Sequence, residues 1–415
     1  MPASATTISL HDQSIDPVSY TVALTDSSYP RTAILAMSIF VMVAFGVTLY
    51  AMSVLLTEDA AGGEFSISLL SAGFGGSAVI AGLLAPRIGA HADDHSIRGL
   101  TILGGILGAA GMVLFATAQS GWVVLIAFWA LLGPAAGMAL YEPAYVAVGH
   151  WVSENNRNKA IALLSLVAGF AGPLFLPATG VLLDGFGWRT TAAILGGVFL
   201  VTAIGASLVY PKHKPGEHRD YDLERVRWSR FFNDHRLLYL TIAIVLTFAA
   251  MNSLIFHRVA VFDEQGFDVG TVAVLAGISG LLTFPGRYLM PRAAGRVEAT
   301  TLFTVACIGI VASLGFAIWG TTTVSMVAFF VLFGIFFGVL LPTRAVIMNG
   351  WYAGEDYGAI MGKQWAVAAV VGGITPWLVG AMRDFLGSYT IPLMLLAAMV
   401  AIAAAFNTAA ATRSR

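Results

Sequence analysis

Apolar runs of roughly 20 residues follow one another along most of the chain, separated by short polar segments. A helix of roughly 20 apolar residues is long enough to cross the hydrocarbon core of a bilayer. The runs lie at 31–57, 66–89, 98–118, 121–148, 157–182, 188–210, 237–262, 268–291, 298–318, 323–349, 357–382 and 388–411. The pattern predicts an all-α membrane protein with about twelve transmembrane helices.

One longer polar stretch, 211–236, divides these runs into two sets of six. It is rich in Lys and Arg, and the positive-inside rule places such a loop in the cytoplasm. Segments 57–66 and 263–268, predicted on the other side, contain acidic residues and no Lys or Arg. We therefore predict that both termini are cytoplasmic. The predicted organisation is a tail at 1–30, a six-helix half at 31–210, the basic linker at 211–236 and a second six-helix half at 237–411.

The two sets of helices repeat one another at a spacing of about 200 positions. Asp184 and Asp384 close similar Gly-containing segments of the fifth and eleventh helices. Arg87 and Arg287 lie near the ends of the second and eighth helices, and the fourth and tenth helices carry matching Gly-x-x-x-Gly pairs. Matches at one offset on equivalent helices predict two halves of the same orientation, related by an axis along the membrane normal.

Composition narrows the class of protein. Hydrophobic residues make up 58% of the chain and charged residues 11%, against roughly 25% in soluble domains. The formal net charge is −1, so no strong field attracts nucleic acid. Cys307 is the single cysteine, which excludes an internal disulfide framework and a thiolate metal cluster. We expect a lipid bilayer around the chain, and no cofactor, metal or nucleic acid.

The helix order, the basic central loop and the loop between the second and third helices resemble the major facilitator superfamily. In that superfamily this loop reads Gly-x-x-x-Asp-Arg-x-Gly-Arg-Arg. Here Gly89, Asp93 and Arg98 fit the pattern, while Asp94 and Ser96 depart from it. The resemblance implies the major facilitator fold, alternating access, a monomer in the inner membrane, and a gating role for this loop through charge pairing with neighbouring helices.

Within the superfamily, the chain is similar to the bacterial monocarboxylate-transporter-like branch, through stretches at 45–50, 169–189 and 284–287. In that branch an arginine of the eighth helix pairs with the substrate carboxylate, and an aspartate four residues earlier carries a proton. Arg287 occupies the arginine position, whereas Thr283, which does not titrate, occupies the other. The resemblance implies substrate binding by Arg287. The alternative is a positive-inside anchor at the membrane surface.

Glu142 is the main candidate for proton transfer. A charged residue at mid-helix costs ~2.5–3.5 kcal/mol on insertion scales, so such residues usually face an interior cavity. Glu142 lies about 12 Å from the inner edge of the fourth helix, beside Pro143, which should bend that helix. Desolvation at this depth favours the protonated carboxyl. The alternative is a structural partner for an interior arginine.

Arg344 lies on the tenth helix, next to the position that repeats Glu142 in the C-terminal half. In the major facilitator fold, helices 1, 4, 7 and 10 line the cavity, so Glu142 and Arg344 are expected to face each other. An anionic substrate could then compete with Glu142 for Arg344 and couple its movement to a proton. A permanent buried ion pair that fixes helix packing is an equal alternative.

Polar uncharged residues complete the predicted site. Tyr50, Tyr141 and Asn252 are candidates for contact with a substrate, although either tyrosine could instead belong to helix packing. His257 and Arg258 lie near the outer end of the seventh helix. We interpret them as snorkelling side chains that reach the membrane surface.

The motifs of several other classes of protein are missing. The sequence contains no Gly-x-x-x-x-Gly-Lys-Ser/Thr loop for ATP, no His-Glu-x-x-His and no Gly-x-Ser-x-Gly. We predict a secondary transporter, not an enzyme, that moves a small organic anion such as a monocarboxylate together with protons. Proton-driven efflux of a hydrophobic or cationic compound is the alternative. An arginine that faces the cavity without an acidic partner would favour the anion.

Overall fold

The computed structural model describes residues 30–57, 60–211, 228–293, 296–352 and 357–412. The predicted N-terminal tail, apart from Pro30, and most of the predicted linker lie outside these ranges. All regular secondary structure in the described residues is helical. The predicted all-α membrane fold is therefore confirmed.

Twelve long helices make up the described chain. They are α1 (Arg31–Leu55), α2 (Ile67–Asp94), α3 (Ile97–Ala116), α4 (Gly121–Trp151), α5 (154–186), α6 (188–209), α7 (His235–Glu264), α8 (269–293), α9 (Ala299–Trp319), α10 (Thr323–Tyr352), α11 (Tyr357–Leu386) and α12 (Thr390–Ala411). Below, α1–α6 are the N-terminal half and α7–α12 the C-terminal half.

Gly187 separates α5 from α6. The described residues hold eleven continuous helical stretches long and apolar enough to cross a membrane, and one of them, Lys159–Val209, has 51 residues. Such a helix would be about 75 Å long, more than twice the ~30 Å of a bilayer core. Within it Gly187 has φ 72° and ψ 165°, a conformation that only glycine adopts readily. The stretch therefore crosses twice, which agrees with twelve helices.

Two helices that border the centre of the bundle are irregular. In α1, residues Gly46–Tyr50 form a π-helical turn, a feature frequent at functional sites. In α4, Leu140 is non-helical, with φ −86° and ψ −159°. Pro143 follows three residues later, and it lacks the N–H that a continuous helix would need there. The bend predicted from Pro143 is therefore present, and it reorients the end of α4 that carries Tyr141.

Small residues allow helices of opposite halves to approach closely. Gly75 of α2 and Gly373 of α11 are in backbone contact, because a Cβ atom on Gly75 would lie 1.9 Å from the Gly373 carbonyl oxygen. Gly277 of α8 packs in the same way against Pro173 of α5. These two pairs of helices, α2 with α11 and α5 with α8, form the described seams between the halves.

Contacts between the halves continue to one end of the bundle, where α1 ends and α2 begins. We call it the closed end. The backbone N–H of Ser68, at the start of α2, donates to Asp384 Oδ2 of α11 at 2.7 Å. Phe74 of α2 stacks on Phe256 of α7 with ring centroids 4.0 Å apart. The end where α2 meets α3 is called the opposite end.

Candidate functional site

Two of the predicted tyrosines lie together at the centre of the bundle. Tyr50 ends the π-helical turn of α1, and its ring packs directly on Gly172 of α5. Tyr141 starts the reoriented end of α4 and stacks on Tyr145, with centroids 5.2 Å apart and planes within 2°. Tyr141 also contacts Phe45 of α1 at 4.9 Å. The two irregular helices thus bring two phenols to one region.

Arg287 approaches this region from the other half. It is half-buried on α8, its guanidinium lies 5.7 Å from the Phe284 ring, and it is within electrostatic range of Tyr141. Its Nε atom is buried without a hydrogen-bond partner. Among the described residues, no carboxylate forms an ion pair with Arg287. The structure therefore brings together Arg287, Tyr141 and Tyr50, three of the predicted site residues.

Arg258 is buried, which contradicts the prediction that its side chain snorkels to the membrane surface. Only 3% of its surface is exposed, and all residues from 253 to 262 of α7 are buried by neighbouring helices. The guanidinium lies 5.7 Å from the Phe333 ring of α10 and within electrostatic range of Tyr50. No carboxylate of the described chain pairs with it. Sequence reasoning missed this residue because an apolar run does not reveal whether lipid or protein surrounds it.

His257, the neighbour of Arg258, is also buried instead of reaching the surface. Its Nε2 donates to the Pro376 carbonyl at 2.9 Å, which leaves Nδ1 to accept from the Tyr389 hydroxyl at 3.0 Å. The hydroxyl of Ser71, on α2 of the other half, lies 3.5 Å from Nε2. His257 thus belongs to the packing of the closed end.

Arg344 is held by its own half. Its Nε donates to Gln364 Oε1 at 2.9 Å, and one terminal nitrogen donates to the Met361 carbonyl at 3.0 Å. Gln364 is fully buried and also donates to Thr241 Oγ1 of α7. Arg344 therefore ties α10 to α11, and the structure does not bring it together with Glu142.

Glu142 lies on the reoriented end of α4, one residue after Tyr141. Its side chain is exposed in the structure, so protein atoms do not supply the desolvation expected from its depth. The carboxylate lies within electrostatic range of Tyr145, whose ring stacks on Tyr141. Glu142 is thus connected to the central tyrosines through Tyr145 and not through an arginine.

Asn252 faces its own half. Its Nδ2 donates to the Gly372 carbonyl at 2.7 Å, which ties α7 to α11. The predicted donor to a substrate is therefore engaged with the backbone in this state.

The predicted gating loop joins α2 to α3 at the opposite end. Arg98 donates to the Tyr210 carbonyl, so its guanidinium links α3 to the end of α6 within the N-terminal half. Gly89 has open space around it, and the side chain of Asp93 lies outside the described residues. The charge pairing of this loop with neighbouring helices stays a prediction. Within the described residues, no three His, Cys, Asp or Glu side chains cluster as metal ligands would.

Two glutamates 200 positions apart fasten the closed end within each half. Glu64 accepts hydrogen bonds from Trp188 Nε1 and from Arg189, and both bonds hold the pKa of Glu64 below its usual value. Glu264 accepts from Arg383 Nε at 3.0 Å and from the Tyr389 backbone N–H at 3.0 Å. The 200-residue offset was the signal that could have identified this pair.

Two further carboxylates each lie near the start of a helix that belongs to the other half. Asp384 accepts from the start of α2, and Asp184, at the end of α5, lies beside Gly270 at the start of α8. Asp268 caps α8 itself, and the Thr271 backbone N–H lowers the pKa of its carboxyl. The match between Asp184 and Asp384 is visible in the sequence, but only the structure shows that each lies near a helix start of the other half.

The chain is similar to known families in sequence. The family described as Major Facilitator Superfamily matches residues 34–327. Monocarboxylate transporter 14 of Homo sapiens is 31% identical over 136 residues, which cover 33% of this chain and 26% of that protein. Monocarboxylate transporter 2 of Mus musculus is 22% identical over 338 residues, which cover 72% and 66%. The matches thus span about a quarter and about two thirds of these relatives' lengths.

Solved structures resemble the fold over nearly the whole chain. The nucleoside transporter NupG superposes with a TM-score of 0.75 at 13% identity, covering 92% of this chain and 100% of that one. A bacterial homolog of the human lysosomal transporter Spinster, inward-facing and occupied, gives 0.72 at 16% identity, with 93% and 97% covered. The D-xylose-proton symporter gives 0.69 at 14%, with 91% and 97% covered. At these identities the likeness concerns the fold alone.

Proposed function

This chain belongs to the Major Facilitator Superfamily and is a membrane transporter, and from that premise we propose that it moves a small monocarboxylate together with a proton. Arg287 is the proposed partner of the substrate carboxylate, and Tyr141 and Tyr50 are the proposed polar neighbours. Two observations support this proposal. One is the Arg287 guanidinium, which has no carboxylate partner in the described chain and lies within electrostatic range of Tyr141, and the other is the sequence similarity to proteins named monocarboxylate transporters.

The absence of an acidic partner for Arg287 in the described chain carries the proposal. A buried or half-buried cation is normally paired with a carboxylate, because an isolated charge is costly to remove from water. A guanidinium presents a planar fork of donors that matches a carboxylate. A substrate carboxylate would supply the missing charge, and tyrosine hydroxyls could donate to its second oxygen.

The same arrangement disfavours efflux of a cationic compound. A cation in the centre of the bundle would meet Arg287 and, farther along, Arg258, and neither arginine has a carboxylate partner among the described residues. Like charges in a site of low dielectric repel strongly. Efflux of an uncharged hydrophobic compound would leave the positive charges of both arginines without a counter-charge.

Glu142 is the proposed proton carrier. It is exposed in this state, where it can exchange a proton with water, and the stacked Tyr141 and Tyr145 connect it to the site. The family resemblance implies a titrating aspartate at the position of Thr283, which does not titrate, so we assign the proton to another group. The substrate role of Arg344 and Asn252 stays a prediction, because both are engaged within the C-terminal half in this state.

Transport by alternating access requires that each end opens in turn. In this state α2 and α11 are in contact at the closed end, so the proposed site is reached from the opposite end. By the charge of the loops, we propose that the closed end faces outward and the opposite end faces the cytoplasm. The inner membrane, cytoplasmic termini and a monomeric state belong to the same proposal.

The test is uptake by liposomes that contain the purified protein and a pH-sensitive dye. A panel of short monocarboxylates is added outside, and acidification is compared with that of empty vesicles. We expect Arg287→Gln to lower kcat/KM about tenfold to a hundredfold, the loss of one charge-assisted hydrogen bond. Glu142→Gln should abolish acidification but retain exchange of labelled substrate across the membrane.

Arg236→Gln is the matched control. Arg236 lies at the opposite end of α7 and stacks on Trp351 at 3.7 Å, away from the tyrosines. The Arg236→Gln variant should transport like the wild-type protein. If the folded wild-type protein acidifies no vesicles with any carboxylate, the proposal is wrong, and a screen of hydrophobic substrates becomes the next experiment.

A further inference from the structure

Arg258 is a buried cation for which the described chain supplies no counter-charge. Its Nε atom has no hydrogen-bond partner, and its surroundings include the Phe333 ring and the Tyr50 phenol. Intramembrane arginines usually pair with an acid or with backbone carbonyls. The nearest alternative, a cation–π contact with Phe333 at 5.7 Å, compensates only a small part of a full charge.

Arg258 and Arg287 lie at different depths. Arg258 is six residues before the end of α7, about 9 Å from the closed end, and Arg287 is 18 residues after the start of α8, about 27 Å from it. The difference of about 18 Å in helix rise exceeds the size of a small carboxylate. One such anion therefore cannot contact both arginines at once.

Electrostatic interactions of the two phenols link these cations. Tyr50 is within electrostatic range of Arg258, and Tyr141 is within electrostatic range of both Tyr50 and Arg287. The four side chains come from α7, α1, α4 and α8, so the two tyrosines of the N-terminal half are flanked by two arginines of the C-terminal half. These pairwise links form a line of donors that runs from Arg258 toward the opposite end as far as Arg287. We name it the donor line.

We propose that Arg258 is a second anion station, which a substrate carboxylate occupies when the closed end opens, before it passes along the donor line to Arg287. This inference rests on the proposed transport of a carboxylate and adds a site to it. The end of α1 packs against α7 in the present state, and Arg258 is buried. Separation of α1 from α7 would make Arg258 the first of the two arginines that an anion from the closed end meets.

If Arg258 is a station, its substitution should change KM differently on the two sides of the membrane. Initial rates are measured in right-side-out and in inverted membrane vesicles. Arg258→Gln should raise KM about tenfold to a hundredfold from the closed-end side, the effect of one charge-assisted hydrogen bond, and change it less than about threefold from the other side. Arg287→Gln should raise KM from both sides, and Arg236→Gln from neither.

A cysteine variant tests charge separately from folding. The single cysteine, Cys307, is replaced by serine in this background, so Arg258→Cys offers the one thiol of the chain, which a reagent reaches when the closed end opens. Aminoethyl methanethiosulfonate restores a positive charge there, and methyl methanethiosulfonate adds a neutral group of smaller size. The cationic reagent should reverse at least half of the rise in KM measured from the closed-end side, and the neutral reagent should reverse none of it. Added carboxylate should slow the labelling of the thiol.

The outcomes separate the two proposals. If the wild-type protein transports carboxylates but Arg258→Gln changes both values of KM equally or neither, Arg258 is not a station and the proposed function stands. Equal rescue by the cationic and the neutral reagent would also overturn the station. If the wild-type protein transports no carboxylate from either side, both proposals are wrong.

Discussion

The two ends of this transporter use their polar groups in different ways. At the closed end, contacts join the halves: Ser68 of α2 to Asp384 of α11, and Ser71 of α2 to His257 of α7. At the opposite end, two hydrogen bonds of the described residues stay within a half. Arg98 donates to the Tyr210 carbonyl, and the Tyr352 hydroxyl donates to Asp234.

This difference indicates which contacts must break during transport. The hydrogen bonds of Arg98 and Tyr352 at the opposite end each join groups of one half, so the two halves can separate there without breaking either bond. At the closed end, separation removes hydrogen bonds and backbone contacts that cross between halves. The present state is therefore stabilised by the closed end, and changes there should shift the balance between the two states.

The largest expected effect comes from the glycine seam. In Gly75→Leu the new side chain would overlap the Gly373 carbonyl, since even a Cβ atom would lie 1.9 Å from that oxygen. Overpacking of this kind costs about 1–3 kcal/mol or more. We expect the closed end to open in most molecules and transport to fall at least tenfold. A buried reporter, Ser53→Cys on α1, should become reactive to thiol reagents.

Gly197→Leu is the control for this prediction, because no atom lies within 4 Å of a Cβ at Gly197. It should leave both transport and the reactivity of the Ser53→Cys reporter unchanged. Normal transport by Gly75→Leu would show that the closed seam is not part of the cycle.

A smaller effect is expected from Asp384→Asn. The charged carboxylate accepts from the start of α2, where the helix dipole also favours a negative charge. A neutral acceptor should weaken the bond by about 1 kcal/mol, which is about a fivefold shift toward the open state. Labelling of the Ser53→Cys reporter measures it. Glu298→Gln, at the opposite end, is the control and should leave the labelling rate unchanged. An unchanged labelling rate in Asp384→Asn would contradict the prediction.

The smallest effect is expected from Glu64→Gln, because its partners Trp188 and Arg189 belong to the same half. A partly exposed ion pair contributes about 0.2–1 kcal/mol. The pKa of Glu64 is below its usual value of 4.5, so its contribution is present above about pH 4.5. It disappears as the pH falls through the lowered pKa.

Thermal unfolding between pH 7 and pH 3 checks this prediction. The difference in Tm between the wild-type protein and Glu64→Gln should be small at neutral pH and should vanish in acid. Labelling of the Ser53→Cys reporter should not change. A change in labelling would mean that Glu64 affects contacts between the halves.

The sequence named some residues of the proposed site and not others. Arg287 was named through the family resemblance, and Tyr141 and Tyr50 because polar side chains inside apolar runs are few. Their role in binding stays a prediction. The partners of Arg344 were not found, because Gln364 is one of many polar residues and its burial depends on how α10 and α11 pack. Glu142, two residues after the non-helical Leu140, is exposed, which its depth in the apolar run did not indicate.

The sequence by itself determined the number and length of the helices, since these follow from apolar runs matched to a bilayer. It also determined the internal repeat and, through its motifs, the family. Only the tertiary structure decided which ionisable groups have partners. Arg258 and Glu264 both lie near the end of α7, yet the described chain offers the buried Arg258 no acid, whereas Glu264 accepts from Arg383. That distinction depends on contacts between helices distant in sequence, which local hydrophobicity does not encode.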